Sequence, residues 1–560
     1  MLAIAVGALA GATVSAIAAA AHLLHYLLFS VPFAAGLSGS QIGASELLVI
    51  VPVAGGLLTG VLVLVRRRRG GIIDPIEANA LYGGRMSLTD SLWLTIQNLA
   101  SNGFGLSAGL EAAYTQLSAG LASTLGIRLK LRREDMRVLV GCGSAGAIAA
   151  AFGGPLTGAF YAFEVIIGTY TSASLAPVIA AAIAGALVSC ALSGQQFALE
   201  VTAVDAISTQ DFIPAIAVGM ICALLGIVVM KAVVQTERLV SASRIPQVLR
   251  PAVGGLLVGC IALANPQVLS AGHGAMHLNL EQDVPLVALL TLFLLKAASS
   301  ALTIGSGFRG GLFFASLLLG GLIGKALAVP VEWLLPGTLA PTTLALIGMS
   351  AFGVAVIGCP LAMTFLALEL TGQFSIAALV LAASITASVV ARQTFGYSFS
   401  TWRFHLRGQT IRSAHDVGWI QNLTVGRLMR HDLRKATAGL SPDEFRKAFP
   451  LGSTQSVVVV DAENRYQAMI SVAEVHADAL EIAPQSDLSS FYRQKSEILL
   501  PNMNARQAAG LFEKARADAL AVVSDRIERR VLGLLSEAHT LRRYSEELER
   551  QRQTLLEGAD

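Results

Sequence analysis

Long apolar runs fill the first 400 residues. They open with LAIAVGALAGATVSAIAAAAHLLHYLL and recur at about 46–65, 137–167, 174–193, 212–234, 247–264, 284–302, 311–329, 340–370 and 376–391. A helix needs ~20 apolar residues to cross the hydrocarbon core of a bilayer, so the pattern predicts an all-α polytopic membrane block. The opening run has no basic head and is too long for a secretory signal, so it counts as a span; starting without a polar head, it suggests either that an upstream surface helix is absent or that the true start lies earlier. Two runs, 137–167 and 340–370, exceed one crossing, while FGLSAGLEAAYTQ and IGSGFRGGLFFASLLLGG are interrupted by glycine. Interrupted helices in a membrane are where backbone ends can face a site instead of lipid. After residue 408 the pattern shortens. TVGRLMRHDLRKA, TQSVVVVD and YQAMISVAEV read as helix, strand, strand and helix, and SEILLPNMNARQAAGLFEKARADALAVVSDRIERRVLGLLSEAHT repeats that order. The expected organisation is a membrane block over 1–408, a polar linker over 409–422, a paired α/β unit over 423–545 and a charged helical tail over 546–560.

Charge follows the same division. Of 40 Lys+Arg and 37 Asp+Glu, residues 401–560 hold 22 and 21, leaving 18 and 16 for the first 400. Both parts are nearly balanced, which argues against a nucleic-acid partner. Arg66–Arg69 directly follow the second span and predict a cytoplasmic loop by the positive-inside rule, with the α/β unit on the same side. The basic run from Arg128 to Arg137 is left unplaced. Cys142, Cys190, Cys222, Cys260 and Cys359 lie in apolar segments without a CxxC pair and read as small core residues. No phosphate loop and no His/Cys/carboxylate cluster suggests a cofactor, a metal or an enzyme.

The membrane block contains a repeat. Residues 143–164 align with 348–369 at an offset of 205, matching Gly143/Gly348, Ala150/Ala355, Gly153/Gly358, Pro155/Pro360, Leu156/Leu361, Phe160/Phe365, Ala162/Ala367 and Glu164/Glu369; GLEAA at 109–113 matches GLFFA at 311–315. Duplication with broken helices is how many transporters build a site between two halves, the alternative being two helices alike only in Gly/Ala content. Glu111, Glu164 and Glu369 are the acids in strongly apolar surroundings, where a carboxylate by default marks function. Glu111 follows a glycine-rich break and opens a helical run, a place where free N–H groups attract anions. It reads as a gate that leaves on protonation, or as an N-terminal charge satisfied locally. Glu164 and Glu369 fit a bond to a neighbouring backbone at least as well as a transport role. SGFRGGLFF reads as a second helix start facing the same point, or as a packing motif. Two amide-rich ends with few acids favour an anion over a cation.

On these residues the chain resembles the CLC family of voltage-gated chloride channels and chloride/proton antiporters. GLSAGLEAAYTQ corresponds to its G-[KR]-E-G-P element, with the gating glutamate at Glu111 beside Gly109 and Leu110. GSGFRGGLFFAS corresponds to G-x-F-x-P, placing Phe313 with Gly311 and Leu312 as amide donors. AAAFGGPLTGAFYAFEV and CPLAMTFLALELTG match further family segments. The resemblance implies inverted repeats, a homodimer with one pore per subunit, and anions held at helix N-termini. The G-S-G-I-P element falls on GGIIDPIEANAL, with Gly71 at the serine, Ile72 next to it and Asp74 at the proline. The inner tyrosine falls on Ser400, with Tyr397 and Phe399 competing. The exchangers' inner proton glutamate falls on Val165, which tilts the reading to passive conduction. The tail resembles a CBS-domain pair, for which a dimer-stabilising role is the plainer reading and adenine nucleotide the alternative ligand; the endings AMISVAEV and GLLSEAHT place Ser471 and Glu474, then Ser536 and His539, at that nucleotide site. The expectation is chloride transport across a bacterial inner membrane through a pore gated by Glu111. The alternatives are a proton-coupled exchanger for chloride, fluoride or nitrate, and a nucleotide sensor on a nonconducting scaffold.

Overall fold

The computed structural model describes residues 1–32, 36–40, 45–66, 71–194, 207–396, 398, 401–402, 423–477 and 488–546. The chain divides into two compact units, Met1–Asp416 and Val417–Asp560; the expected boundary at 408 and the linker 409–422 lie outside the described residues, as does most of 546–560.

The first unit is helical throughout. Its helices are α1 (Leu2–Phe29), α2 (Leu47–Arg66), α3 (Pro75–Leu81), α4 (Leu88–Gly103), α5 (Glu111–Arg128), α6 (Arg133–Phe152), α7 (Pro155–Tyr161) and α8 (Ser172–Ser193). A second set follows as α9 (Phe212–Ala242), α10 (Arg250–Ala264), α11 (His273–Glu281), α12 (Leu286–Gly305), α13 (Phe313–Ala326), α14 (Ala328–Leu334), α15 (Pro341–Ile357), α16 (Pro360–Thr371) and α17 (Phe374–Thr394). Eight of the described helical segments are long and apolar enough to cross a membrane. The two over-long runs break where the sequence changes chemistry. Gly153 (φ 67°) and Gly358 (φ 89°) stop α6 and α15 in the left-handed conformation, and Pro155 and Pro360 start α7 and α16 at N1. Glycine past a helix end and proline just inside the next are the favoured punctuation.

Apart from α14, the sets correspond in order, α5 with α13, α6 with α15, α7 with α16 and α8 with α17. They meet about a local two-fold axis. Gly109 and Gly311 form an antiparallel bridge (N–H to carbonyl 3.0 and 3.2 Å), and the rings of Phe160 and Phe365 stack at 4.3 Å. Each pair consists of repeat-equivalent residues, so the repeat is inverted. Arg66 pairs with Asp90 at 2.6 Å, and a Cβ on Gly83, just after α3, would meet the Arg133 side chain. The basic run at 128–137 therefore comes to the end of α3. Of the five cysteines, Cys142, Cys222 and Cys359 are buried, but Cys260 is exposed on α10, so the core reading does not hold for it.

The second unit is itself duplicated. Strand β1 (Lys435–Thr437) runs parallel to β2 (Ser456–Val460), which pairs antiparallel with β3 (Tyr466–Ser471); β4 (Ala519–Val523) pairs antiparallel with β5 (Val531–Ser536). The parallel pairing Lys435↔Val458 recurs 64 residues later as the bridge Leu499↔Val522. The helices Pro442–Ala448 and Ala505–Ala515 both start with capping boxes, Ser441/Glu444 and Asn504/Gln507, each satisfying two orphan N–H groups reciprocally. This is the element order expected of a CBS-domain pair.

Candidate functional site

The two glycine-rich breaks of the sequence meet inside the first unit. Segment 104–110 joins α4 to α5, and segment 306–312 joins α12 to α13. The Gly109–Gly311 bridge ties them together, and Asn98 of α4 clamps both: its Nδ2 donates to Gly109 O (3.0 Å) and Arg309 O (3.3 Å), while Oδ1 accepts from Ala113 N–H (3.0 Å). Non-helical backbone is tolerated at membrane depth only when protein satisfies it in this way.

Glu111 is the first residue of α5 and is 6% exposed. Its Oε1 accepts from the Phe314 N–H at 3.0 Å, so the carboxylate sits against the N-terminal turn of α13. Its Oε2 is buried without a hydrogen-bond partner. Room for the carboxylate comes from Gly109, where a Cβ would fall on it. Beside it lies a cavity of about 140 Å³ whose wall includes Asp74, Pro75, Ile76, Glu111, Tyr161, Leu312 and Phe313. A helix N-terminus beside a cavity is a place for negative charge that the protein's own carboxylate holds.

Several expected residues fall differently. The N–H groups of Gly109 and Gly311 are spent on one another, so neither serves as an anion donor in this state; the donor to the carboxylate is Phe314. Leu110 caps α5 and is buried off the cavity wall. Gly71 is exposed, and neither it nor Ile72 lines the cavity. The reason lies in where α3 starts. Pro75 is at N1 of α3 and Asp74 is its N-cap, the Asp74 carboxylate accepting from Glu77 N–H at 2.8 Å. Proline at N1 and Asp at the cap fix the helix start, and it is 74–76 at that start, not 71–72, that reach the wall. Tyr397, Phe399 and Ser400 lie outside the described residues.

Val165 is buried and lines a second cavity, about 90 Å³, with Glu164, Arg392, Ser398 and Thr401; Ile76 and Ile357 belong to the walls of both cavities. Glu164 accepts from Leu361 and Ala362 N–H (3.1 and 2.9 Å) at the start of α16, and Glu369 accepts from Leu156 and Thr157 N–H (2.7 and 2.9 Å) at the start of α7. Each acid caps the other repeat's helix, the backbone-bonding role its mid-helix position had suggested.

Sequence reasoning passed over three groups. Asp74 reaches the cavity, and Glu77 is a further buried acid at 6% exposure. Lys296 of α12 is 0% exposed and donates to Val268 O (2.9 Å) and Ser270 O (2.8 Å). A lysine alone in LVALLTLFLLKAASS was the available signal. Among the described residues no three His, Cys, Asp or Glu side chains group to hold a metal.

In the second unit Ser471 and Ser536 end the equivalent strands β3 and β5. Glu474 pairs with Arg493 at 3.4 Å. His539 N–H approaches Ser536 Oγ at 3.4 Å. Partial burial, then Arg430, Arg543 and Arg542, push the His539 imidazole below its ordinary range. The position where an acid would hold a ribose is thus a neutral imidazole among guanidiniums.

The sequence and fold were compared with known proteins. A family described as voltage gated chloride channel matches residues 55–392. A putative chloride channel protein, ClcB-like, of Ralstonia nicotianae is 29% identical over 354 residues, 62% of this chain and 82% of that protein. The voltage-gated ClC-type chloride channel ClcB of Escherichia coli is 29% identical over 407 residues, 70% and 95%. Among solved structures, a slow cyanobacterial Cl−/H+ antiporter aligns with TM-score 0.63 at 20% identity, covering 72% of this chain and 97% of that one. A CLC-type fluoride/proton antiporter aligns with 0.58 at 20%, covering 70% and 94%, and a eukaryotic CLC transporter with 0.60 at 18%, covering 96% and 98%.

Proposed function

The chain belongs to the voltage-gated chloride channel family, and on that premise we propose that it conducts chloride passively through a pore closed by Glu111. The observation that carries this is the Glu111 carboxylate seated on the Phe314 N–H with its second oxygen unpaired beside the cavity. An anion and this carboxylate compete for one amide-rich position. Protonation removes the charge that holds the side chain there, and the anion replaces it. Passive conduction is favoured by Val165, which cannot carry a proton at the inner position. Proton-coupled exchange of chloride or fluoride is the competing reading, supported by the antiporters of the same fold. The chain is a multi-pass membrane protein; we place it as a homodimer in a bacterial inner membrane, with Arg66, the 128–137 run and the paired α/β unit on the cytoplasmic side.

The test is reconstitution of the full chain in vesicles carrying a chloride gradient. A current reversing at the chloride equilibrium potential at every pH is expected; proton uptake driven by chloride would assign exchange instead. Glu111→Gln should raise flux and flatten its acid activation. Unchanged flux and pH dependence in that variant would remove Glu111 as the gate, and absence of flux in the parent would favour a nucleotide-sensing scaffold.

A further inference from the structure

The start of α13 has no cap of its own. Leu312 stands at its N-cap without a side-chain hydrogen bond, and the Phe314 N–H, an orphan donor of the first turn, is taken by the Glu111 carboxylate from the other half. Gate and cap are thus one group. On the proposed gating, an anion can replace that carboxylate only if the first turn of α13 stays wound while neither is bound. Helix ends fray, so something other than the carboxylate must hold this one.

The Phe314 ring is the handle. It is 1% exposed, and two rings pack on it: His273, with centroids 3.4 Å apart and planes at 27°, and Phe152 at the end of α6, at 5.5 Å with planes at 4°. Ring and N–H belong to one residue, so fixing the ring fixes the direction of the amide. His273 is the first residue of α11, and α11 is fastened to α13 at both ends. At its start, Gly272 is left-handed (φ 105°), and a Cβ there would fall on Leu318, one turn after Phe314. At its far end the Lys325 ammonium donates to the carbonyls of Asn279 (2.8 Å), Leu280 (3.0 Å) and Gln282 (2.5 Å). A third hold comes from Ser38, whose Oγ accepts from Ala275 N–H at 3.3 Å. The α11 helix is therefore a strut along α13, and His273 is its contact with the residue that donates to the gate. His273 itself is exposed, so replacing it opens no hole in the core.

We propose that His273 is a positioning residue for the anion site: stacked on Phe314, it keeps the first turn of α13 wound and the Phe314 N–H in place while Glu111 is away. The proposal rests on the reading of Glu111 as the gate, and the experiment separates the two. Full-length protein is reconstituted in vesicles, and flux is measured against chloride concentration at neutral pH in a Glu111→Ala background, where the carboxylate is permanently gone. Adding His273→Ala should raise the chloride concentration for half-maximal flux about three- to tenfold, the range that an aromatic contact of ordinary strength corresponds to, with maximal flux unchanged. His273→Asn, a second replacement without an aromatic face of that kind, should do the same. His273→Phe keeps a ring on Phe314 without the imidazole and should return the half-saturation to that of Glu111→Ala alone. Phe314→Leu removes the stack from the other side; it should reproduce the rise, and His273→Ala should then add nothing to it. An unchanged half-saturation in His273→Ala and His273→Asn, a fall in maximal flux alone, or a rise in His273→Phe equal to that in His273→Ala would overturn the positioning role. If Glu111→Ala opens the pore and the His273 variants are silent, only this proposal fails. If Glu111→Ala leaves flux and its pH dependence as in the parent, the reading of Glu111 fails first and the proposal falls with it.

Discussion

The reciprocal caps between α7 and α16 allow one bond to be weighed against its own symmetry mate. Glu369 receives the Leu156 and Thr157 N–H groups and also the Thr157 hydroxyl at 2.6 Å; Glu164 receives the equivalent Leu361 and Ala362 N–H groups and, position 362 having no hydroxyl, a bond from the Tyr170 side chain instead. The halves thus take their third hydrogen bond from different places, Thr157 inside the capped helix and Tyr170 outside it. Neutral interhelical hydrogen bonds in membranes average about 0.6 kcal/mol in double-mutant cycles, and an ionised acceptor roughly doubles that, so the Thr157 hydroxyl contributes about 1–2 kcal/mol. Glu369→Gln should cost about 2–3 kcal/mol, since it also removes the charge from the α7 N-terminus. Glu164→Gln should likewise cost about 2–3 kcal/mol on the same reasoning. Unfolding midpoints in mixed micelles for Thr157→Ala, Glu369→Gln and the pair give the coupling energy, and those for Tyr170→Phe, Glu164→Gln and their pair give it for the other half. A Thr157–Glu369 coupling indistinguishable from zero would refute the weight given to the Thr157 hydroxyl.

Gly109→Ala should open the pore without touching Glu111. The backbone there is not in the left-handed region, so the substitution tests space alone: the added Cβ takes the position of the Glu111 carboxylate, and chloride flux in vesicles should rise and lose acid activation, whereas a wild-type profile would show that the carboxylate does not need that seat. In the paired α/β unit, Glu474 pairs with Arg493 and a histidine, His539, stands where the resemblance puts the acid that holds a ribose; ATP at about 1 mM should leave the thermal midpoint of the full chain unchanged, and a saturable rise would show binding to the native state.

The membrane block was legible because its signals are repeated. Glycine and proline at 153–155 and 358–360 mark the same break twice, and apolar length marks the spans, so the duplication could be read from one sequence, while its inversion came only with the family resemblance. The position of Glu111 was legible for a related reason, as a lone acid after GLSAGL with a helical run behind it. What the sequence left open depends on backbone pairing. Nothing in GLEAA or GLFFA announces that Gly109 and Gly311 use up each other's N–H groups. That 74–76 at the start of α3 reach the cavity was not foreseen, because the family element directed attention to Gly71 and Ile72, although Pro75 after an Asp signals a helix start. Lys296 was missed by counting acids and not bases in the apolar runs, and the roles of Glu164 and Glu369 needed the partner half to be seen.

The axis that relates the halves also explains why a gate can move at this point. Phe160 on Phe365, Glu164 on α16 and Glu369 on α7 join equivalent positions by side chains to backbone and ring to ring, and Gly109 joins Gly311 by backbone alone. All four contacts hold the helix starts fixed without using the Glu111 carboxylate. The one bond that side chain makes across the axis, to Phe314 N–H, has no counterpart, because the equivalent of Glu111 in the other half is Phe313, packed on Phe152 at 4.9 Å. Symmetry therefore secures the frame twice over, while the acid at its centre is held on one side only. On the gating proposed above, losing that bond on protonation would release the side chain and leave the amide end of α13 in place for an anion.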